Sequence, residues 1–416
     1  MMKYLILIGD GMADEPKDFP EGKTPLVLAN IPHLDLLAKK GTLGLVKTVP
    51  EDMHAGSDVA NMTILGYDPK KYYTGRAPIE AYGRGLELKP EEVAFRCNLV
   101  SLKQENHQWL MEDYSAEHIS SEEAKQLIQA LNQKLSSSRV KFYPSVSYRN
   151  LCIIKDINPD RIKIPPPHDI LNQPIAGYLE SLKTSSEGRF ILELMERSRE
   201  IFRSHPVNQA RKEKGKKPAD MVWLWGQGTK PDFPTLKEKF GINGVVISGV
   251  DLVRGLGKLA GLEVVLVPGA TGYIDTNYQG KVESALRSLE QGANFVYLHL
   301  EAPDEASHAG DLELKIKAIE LFDQKIVAPI LEGLKKFPGW RLLVMPDHTT
   351  PVRLRTHRSD PVPFVAVSSE QFYSGKESPR AFSELEAKKT GIYLKQGDTL
   401  LEKYLLRNKN GKGSGN

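Results

Sequence analysis

Short apolar runs alternate with helix-length segments along this chain, and several of the runs stop at an acid or a histidine. Residues 4–8 run into Gly9-Asp10-Gly11, residues 295–300 lead to Asp304 and His308, and residues 341–345 lead to Pro346-Asp347-His348. Further apolar runs at 244–248 and 263–267, with helical spacing at 235–240, 251–260, 281–289 and 312–334, continue the alternation. Runs this short, apolar throughout and separated by helices, predict a mostly parallel sheet covered by helices on both faces. In such a sheet the chemistry sits beyond the carboxyl ends of the strands. Near the amino end, residues 31–40 read as a helix with Asn30 as N-cap and Pro32 in the first turn. Residues 43–49 read as a strand and 59–65 as a short helix.

The pattern changes after about residue 86. Residues 93–102 read as a strand, 121–135 as a polar helix, 140–143 and 148–155 as antiparallel strands, and 188–202 as a helix. This stretch is expected to be an inserted α+β domain, 87–205, between the halves of a discontinuous domain, 1–86 and 206–410. A basic, exposed stretch at 211–217 leads back through a strand at 221–225, and the crossings near 86 and 205 are the expected hinges.

With 416 residues, 40% hydrophobic and 26% charged, the chain can bury a large core in one to three domains. A net charge of +3 argues against nucleic acid or a membrane surface as partner and leaves room for a local basic pocket for an anion. No apolar run approaches the roughly 20 residues that span a bilayer, and the first eight residues are too short for a secretory core. Cys97 and Cys152 lie within apolar runs and read as reduced core residues of a cytoplasmic protein. The polar, Gly-rich tail, 408–416, is expected to be disordered.

Carboxylates and imidazoles at strand ends need partners, and a metal satisfies several at once. Asp10, Asp304, His308, Asp347, His348 and His357, with Ser57 of Gly56-Ser57-Asp58, form a set that can hold two divalent ions around a hydroxyl. Asp304 and His308 stand four residues apart, on one face of a helical turn. The oxygen and nitrogen donors suit Mn²⁺, with Zn²⁺, Co²⁺ or Fe²⁺ as alternatives, and disfavour Mg²⁺. Each segment also has a plain reading. Asp10-Gly11 alone is a common turn, Asp304 with His308 an exposed ion pair, and Asp347-His348 a capping pair. Ser57 before an apolar helix is most simply its N-cap. Asn61, four residues on, is placed to donate to the same phosphate as Ser57.

The runs Gly9-Asp10-Gly11, Gly56-Ser57-Asp58-Val59-Ala60-Asn61, Tyr72-Tyr73-Thr74-Gly75-Arg76-Ala77-Pro78, Gly269-Ala270-Thr271-Gly272-Tyr273 and Glu301-Ala302-Pro303-Asp304-Glu305 come in a telling order. With Pro346-Asp347-His348 and Thr356-His357-Arg358-Ser359-Asp360-Pro361, the chain resembles, over nearly its whole length, the archaeal-type cofactor-independent phosphoglycerate mutases of the alkaline phosphatase superfamily. The resemblance implies an alkaline-phosphatase-like α/β fold with a smaller inserted lid domain. It implies two divalent ions and no 2,3-bisphosphoglycerate. Asp10, Ser57, Asp347 and His348 match the ligands of one ion, and Asp304, His308 and His357 those of the other. Ser57 matches the residue that carries the phosphoryl group. Arg76 lies in a shared motif and is expected to hold phosphate or carboxylate, whereas Arg149, His168 and Asp169 are substrate candidates by context only.

The implied activity interconverts 3-phosphoglycerate and 2-phosphoglycerate through a phosphoserine, with the insert keeping water from it. The substrate is a small phosphorylated acid, and a homo-oligomer stays open. Two rivals share the scaffold: a homoserine kinase, and a metal-dependent phosphatase in which water takes the phosphoryl group. The kinase needs ATP, and no Gly-x-x-x-x-Gly-Lys-[Ser/Thr] loop is present. The nearest run, Arg254-Gly255-Leu256-Gly257-Lys258, lies inside an expected helix.

Overall fold

The computed structural model describes residues 1–406, so the tail expected to be disordered lies outside the described residues. The chain packs as two compact units, Met1–Tyr73 with the chain from Asp232 onward, and Thr74–Pro231. The joints expected near 86 and 205 fall inside the second unit, because both flanks contribute to its sheet and its cover.

The first unit is built on strands β1 (Lys3–Gly9), β2 (Thr42–Val46), β8 (Gly244–Ile247), β9 (Glu263–Val264), β10 (Phe295–Leu300), β11 (Trp340–Met345), β12 (Val362–Ser368) and β13 (Tyr393–Leu394). Their order is β13-β2-β12-β11-β1-β10-β8-β9. The run from β11 to β9 is parallel, and only β12 opposes its neighbours. All six residues of β10 and nearly all of β1 are buried, as expected of apolar runs covered on both faces. Register then fixes the site. Gly9 pairs with Leu300 and Ile8 with Met345, so the segments after β1, β10 and β11 leave the sheet side by side.

Two helix expectations are corrected, one by a distant contact and one by a proline within the helix itself. The helix Pro32–Lys40 is capped at Ile31 rather than Asn30, and no local side chain caps it. Its open N–H groups at His33 and Leu34 go instead to the carboxylate of Asp323, at 3.3 and 2.7 Å. The long helix expected over 312–334 is interrupted. It runs Leu312–Phe322, widens into a π turn at Asp323–Val327, and resumes at Ala328–Leu334. Pro329 lacks an N–H and its ring crowds the preceding turn, which accounts for the break.

The second unit has five strands: β3 (Glu92–Glu105), β4 (Gln108–Asp113), β5 (Val140–Tyr143), β6 (Arg149–Lys155) and β7 (Met221–Gly228). They form an antiparallel sheet, β4-β3-β6-β5, with β7 paired to β3. Residues 221–225 were expected to rejoin the parallel alternation; they join this sheet instead. An apolar run reads alike in either setting. The helix Ser121–Leu135 begins at a reciprocal cap between Ser120 and Glu123. The stretch expected to be exposed and basic, 211–217, is anchored by Arg211. That side chain is buried and donates to Lys217 O at 2.9 Å, Glu123 at 2.9 Å and Ala116 O at 2.5 Å. Cys97 and Cys152 are free thiols within this unit's core. No helix among the described residues is long and apolar enough to cross a membrane.

Candidate metal centre

The segments leaving β1, β10 and β11 bring three aspartates together. Asp10, Asp304 and Asp347 are all buried, at 1, 4 and 0% exposure. The chain can turn here because Gly11 takes φ +61°, where a Cβ would stand 2.5 Å from Asp304 Oδ1. The Gly11 N–H donates to Asp347 Oδ1 at 3.2 Å. Burial, then the charges of Asp347, Asp304 and Glu301, push the Asp10 carboxyl well above the usual range. Asp10 Oδ1 is buried without a hydrogen-bond partner. Its ion-pair neighbours among the described residues are imidazoles, His299 at 3.1 Å and His348 at 3.4 Å.

Asp14, four residues on, is also buried but fully answered. Lys315 Nζ stands 3.1 Å from its Oδ2 and donates to Ala13 O at 3.1 Å and Thr350 O at 2.9 Å. Among the described residues, a buried lysine thus answers Asp14 and none answers Asp10.

The histidines are oriented by what their outer nitrogens touch. Thr350 gives its hydroxyl proton to Asp304 Oδ1 at 2.6 Å, so it can only accept from His348 Nδ1 at 3.1 Å. That leaves His348 Nε2 as a bare lone pair, 3.0 Å from Ser57 Oγ. Burial pushes the His348 imidazole down to about 4, in keeping with a neutral ring. His308 Nδ1 donates to the backbone carbonyl of Arg355 at 2.9 Å, which turns its Nε2 inward. There it meets His357 Nε2 at 2.9 Å and Asp304 Oδ2 at 3.2 Å, and His357 Nε2 lies 3.5 Å from the same oxygen. Burial opposes a charge on His308, but the Asp304 carboxylate raises it to about 9.

Two donor groups result. One gathers Asp304, His308 and His357; the other gathers Asp10, Asp347, His348 and Ser57. Ligand atoms of Asp304, His348 and His357 lie within 4.8 Å of one another, as do those of Asp10, Asp347 and His348. Crowded carboxylates with one orphaned oxygen, faced by inward-turned imidazole nitrogens, fit divalent cations with mixed oxygen and nitrogen ligands.

Ser57 is the first residue of the helix Ser57–Ile64, with Gly56 at the cap position, so it is not the N-cap. Asn61 also departs from expectation. Its amide donates to Asp347 Oδ2 at 2.7 Å and to Ser57 O at 2.8 Å, and its oxygen accepts from the Tyr297 hydroxyl. Both amide protons are in use within a fully buried side chain, which leaves none for a phosphate. Sequence reading passed over Tyr297, His299 and Thr350. The available signal was in β10, where Tyr297 and His299 interrupt an apolar strand at alternate positions.

The remaining candidates belong to the second unit. Arg76 Nε lies 2.9 Å from Glu80 Oε1. Arg149 Nε donates to the Tyr148 hydroxyl at 3.0 Å. His168 stacks edge-on against Trp225 and Tyr114 and lies 3.7 Å from Asp169, and both His168 and Asp169 are largely exposed. Arg96, which the sequence reading did not single out, is buried with Nε 3.2 Å from Glu80 and its guanidinium 4.5 Å from the Trp225 ring centre. Its signal was a charge in the middle of an apolar strand.

Comparisons with known proteins bear on the family and the fold. The family model described as 2,3-bisphosphoglycerate-independent phosphoglycerate mutase matches residues 38–208. A relative from Geobacter sulfurreducens, named a probable 2,3-bisphosphoglycerate-independent phosphoglycerate mutase, is 48% identical over 98% of this chain and 100% of its own. A Methanothrix thermoacetophila protein named 2,3-bisphosphoglycerate-independent phosphoglycerate mutase is 47% identical over 96% of this chain and 98% of its own. Among solved structures, the PH0037 protein of Pyrococcus horikoshii superposes with a TM-score of 0.78 at 27% identity, covering 99% of both chains. The cofactor-independent phosphoglycerate mutase of Thermoplasma acidophilum shares the fold, with a TM-score of 0.58 at 24% identity over 96% of this chain and 98% of its own.

Proposed function

The chain belongs to the 2,3-bisphosphoglycerate-independent phosphoglycerate mutases, a family of metal-dependent isomerases, and from that premise we propose that it passes a phosphoryl group through Ser57. The substrates are 3-phosphoglycerate and 2-phosphoglycerate. The observation that carries this reading is the Ser57 hydroxyl, 3.0 Å from the bare Nε2 of His348, which itself lies 3.4 Å from Asp10 and 3.5 Å from Asp347.

Asp10, Asp347, His348 and Ser57 would hold one divalent ion, and Asp304, His308 and His357 a second. When bound, the ions supply Lewis acidity and offset the phosphate charge, and Mn²⁺ is the ion we assign to this donor set. The chain's own residues do the rest. The Asn61 bond to Ser57 O holds the backbone that carries the Ser57 hydroxyl. Ser57 Oγ bonds to phosphorus in line while the bond from phosphorus to the substrate's 3-oxygen breaks, and that oxygen takes up the proton Ser57 gives up. In the second half the glycerate 2-hydroxyl attacks the phosphoserine, the bond from phosphorus to Oγ breaks, and the proton returns to Ser57. Arg76, Arg149, His168 and Asp169 of the inserted unit are the candidates for gripping the glycerate. We place the enzyme in the cytoplasm, where its substrates are made and used.

The test is to supply purified protein with Mn²⁺ and 3-phosphoglycerate, without 2,3-bisphosphoglycerate, and follow the products by phosphorus NMR. Appearance of 2-phosphoglycerate, with a phosphoryl adduct mapped to Ser57 after acid quench, is the expected result. Release of inorganic phosphate alone would replace the mutase with a phosphatase.

A further inference from the structure

We propose that Tyr297 is a positioning residue for the metal centre, acting through Asn61 to hold Asp347 and the Ser57 segment as one rigid piece. The proposal rests on the reading of Asp347 as a cation ligand given above.

Tyr297 lies in the middle of β10, fully buried in a strand that is apolar except for it and His299. A phenol hydroxyl in such a place needs a partner, and its partner is Asn61 Oδ1. Asn61 is itself fully buried, and its amide nitrogen reaches Asp347 Oδ2 at 2.7 Å and Ser57 O at 2.8 Å. An asparagine amide has two nearly isosteric ends, and only one of them suits a carboxylate. With the NH₂ end toward Asp347 the contact is attractive; with the oxygen toward it, two acceptors collide. Asp347 and Ser57 O, both acceptors, set which end faces the acid, and Tyr297 gives its one proton to Oδ1 and so anchors the opposite end. All three polar atoms are then used once the tyrosine is present. Without its hydroxyl, Oδ1 is a buried orphan and the amide loses the contact that anchors its far end.

The other oxygen of Asp347 is held by the N–H groups of Gly11 at 3.2 Å and His348 at 2.9 Å. Asn61 is therefore the side-chain donor that, with these two N–H groups, sets the rotation of the carboxylate. His299, two residues along β10 on the same face, lies 3.1 Å from Asp10 Oδ2. One strand thus addresses both acids of the Ser57 group from behind. Outer contacts of this kind typically govern metal affinity by about 10–100-fold.

The experiment titrates metal-stripped protein with Mn²⁺, counting free ion by electron paramagnetic resonance. Tyr297→Phe is compared with Tyr67→Phe, which removes another buried hydroxyl of the same unit, one that donates to Pro234 O at 2.8 Å. Tyr297→Phe is expected to weaken one Mn²⁺ site by about 10-fold or more, and to lower kcat with little change in KM for 3-phosphoglycerate. Tyr67→Phe should leave both unchanged. Asn61→Asp keeps an acceptor for Tyr297 but turns an oxygen toward Asp347, and should show the same loss of Mn²⁺ affinity. If Tyr297→Phe folds and binds Mn²⁺ like the wild type, the proposal is overturned; if it does not fold, unchanged affinity in Asn61→Asp overturns it. Failure of the wild type to isomerise 3-phosphoglycerate would remove the mutase reading and leave the Mn²⁺ comparison intact.

Discussion

Each unit buries a cluster of charge, and the two clusters are balanced in opposite ways. In the second unit Glu80 is surrounded by guanidinium groups, Arg76 at 2.9 Å, Arg96 at 3.2 Å and Arg84 at 3.9 Å. Burial works against its ionisation, yet Arg96, Arg76 and Arg84 pull the carboxyl down to about 2. In the first unit Asp10 is equally buried, but its neighbours are other carboxylates and two imidazoles, and its carboxyl is driven up. Glu80 is compensated by the protein itself and needs nothing from outside. Asp304 and Asp347 are answered by imidazoles that we propose as ligands themselves, and Asp10 is left for an ion to compensate. The contrast separates buried charge that builds the fold from buried charge that awaits an ion.

The sharpest break in that contrast is at Ser57, which belongs to the cluster proposed to hold ions and has no counterpart beside Glu80. Ser57→Ala should lower mutase turnover by at least about 10⁴-fold, with no phosphoryl adduct in the mass spectrum and a fold unchanged by circular dichroism. Next comes the self-compensated cluster. Glu80→Gln strands buried guanidinium groups and should cost about 3–5 kcal/mol of stability, read from urea unfolding. Because Glu80's folded pKa is depressed, its contribution is present above the ordinary glutamate range near pH 4.5 and fades as the pH falls toward about 2. The variant should therefore show a flatter acid limb than the wild type.

Removing ions should touch only the other cluster. Stripping divalent ions with a chelator should lower stability by about 2.7 kcal/mol relative to protein held at 100 times the dissociation constant. Asp10→Asn sharpens the point, since it should raise the melting temperature of stripped protein and lower that of Mn²⁺-loaded protein. A change of the same sign in both states would mean that Asp10 is an ordinary structural acid. The smallest effect concerns pH. His308, raised to about 9 without an ion, must lose its proton to bind one. Mn²⁺ affinity at its site should climb as the pH rises toward 9, by up to about 1.4 kcal/mol per pH unit, and calorimetry in buffers of different ionisation heat should detect the released proton.

The parts of this picture that could be read from the sequence are those where a local pattern suffices. Apolar runs followed by Asp10, Asp304 and Asp347 marked the carboxyl edge of a parallel sheet, and register then brought those ends together. The spacing of Asp304 and His308 put both on one turn of the helix Ala302–Ala309. The polar helix read at 121–135 is found at Ser121–Leu135. What stayed hidden depended on partners far along the chain. Asp323, 290 residues from His33, does the capping expected of Asn30. Arg211 looked like part of a solvated basic run, but Ala116 O and Glu123 bury it. The run 221–225 has the same apolar character whether it extends a parallel sheet or pairs antiparallel with β3. Asn61 looked available to a ligand because Tyr297, 236 residues away, was not visible as its partner.

The central claim is that two cations sit beside Ser57, one in each donor group. Crystals grown with Mn²⁺ and measured at the manganese absorption edge test it directly. The account predicts two anomalous peaks per chain, one within bonding distance of Asp304, His308 and His357, the other within bonding distance of Asp10, Asp347, His348 and Ser57 Oγ. A map with no peak among these side chains, in protein that isomerises 3-phosphoglycerate, would contradict it.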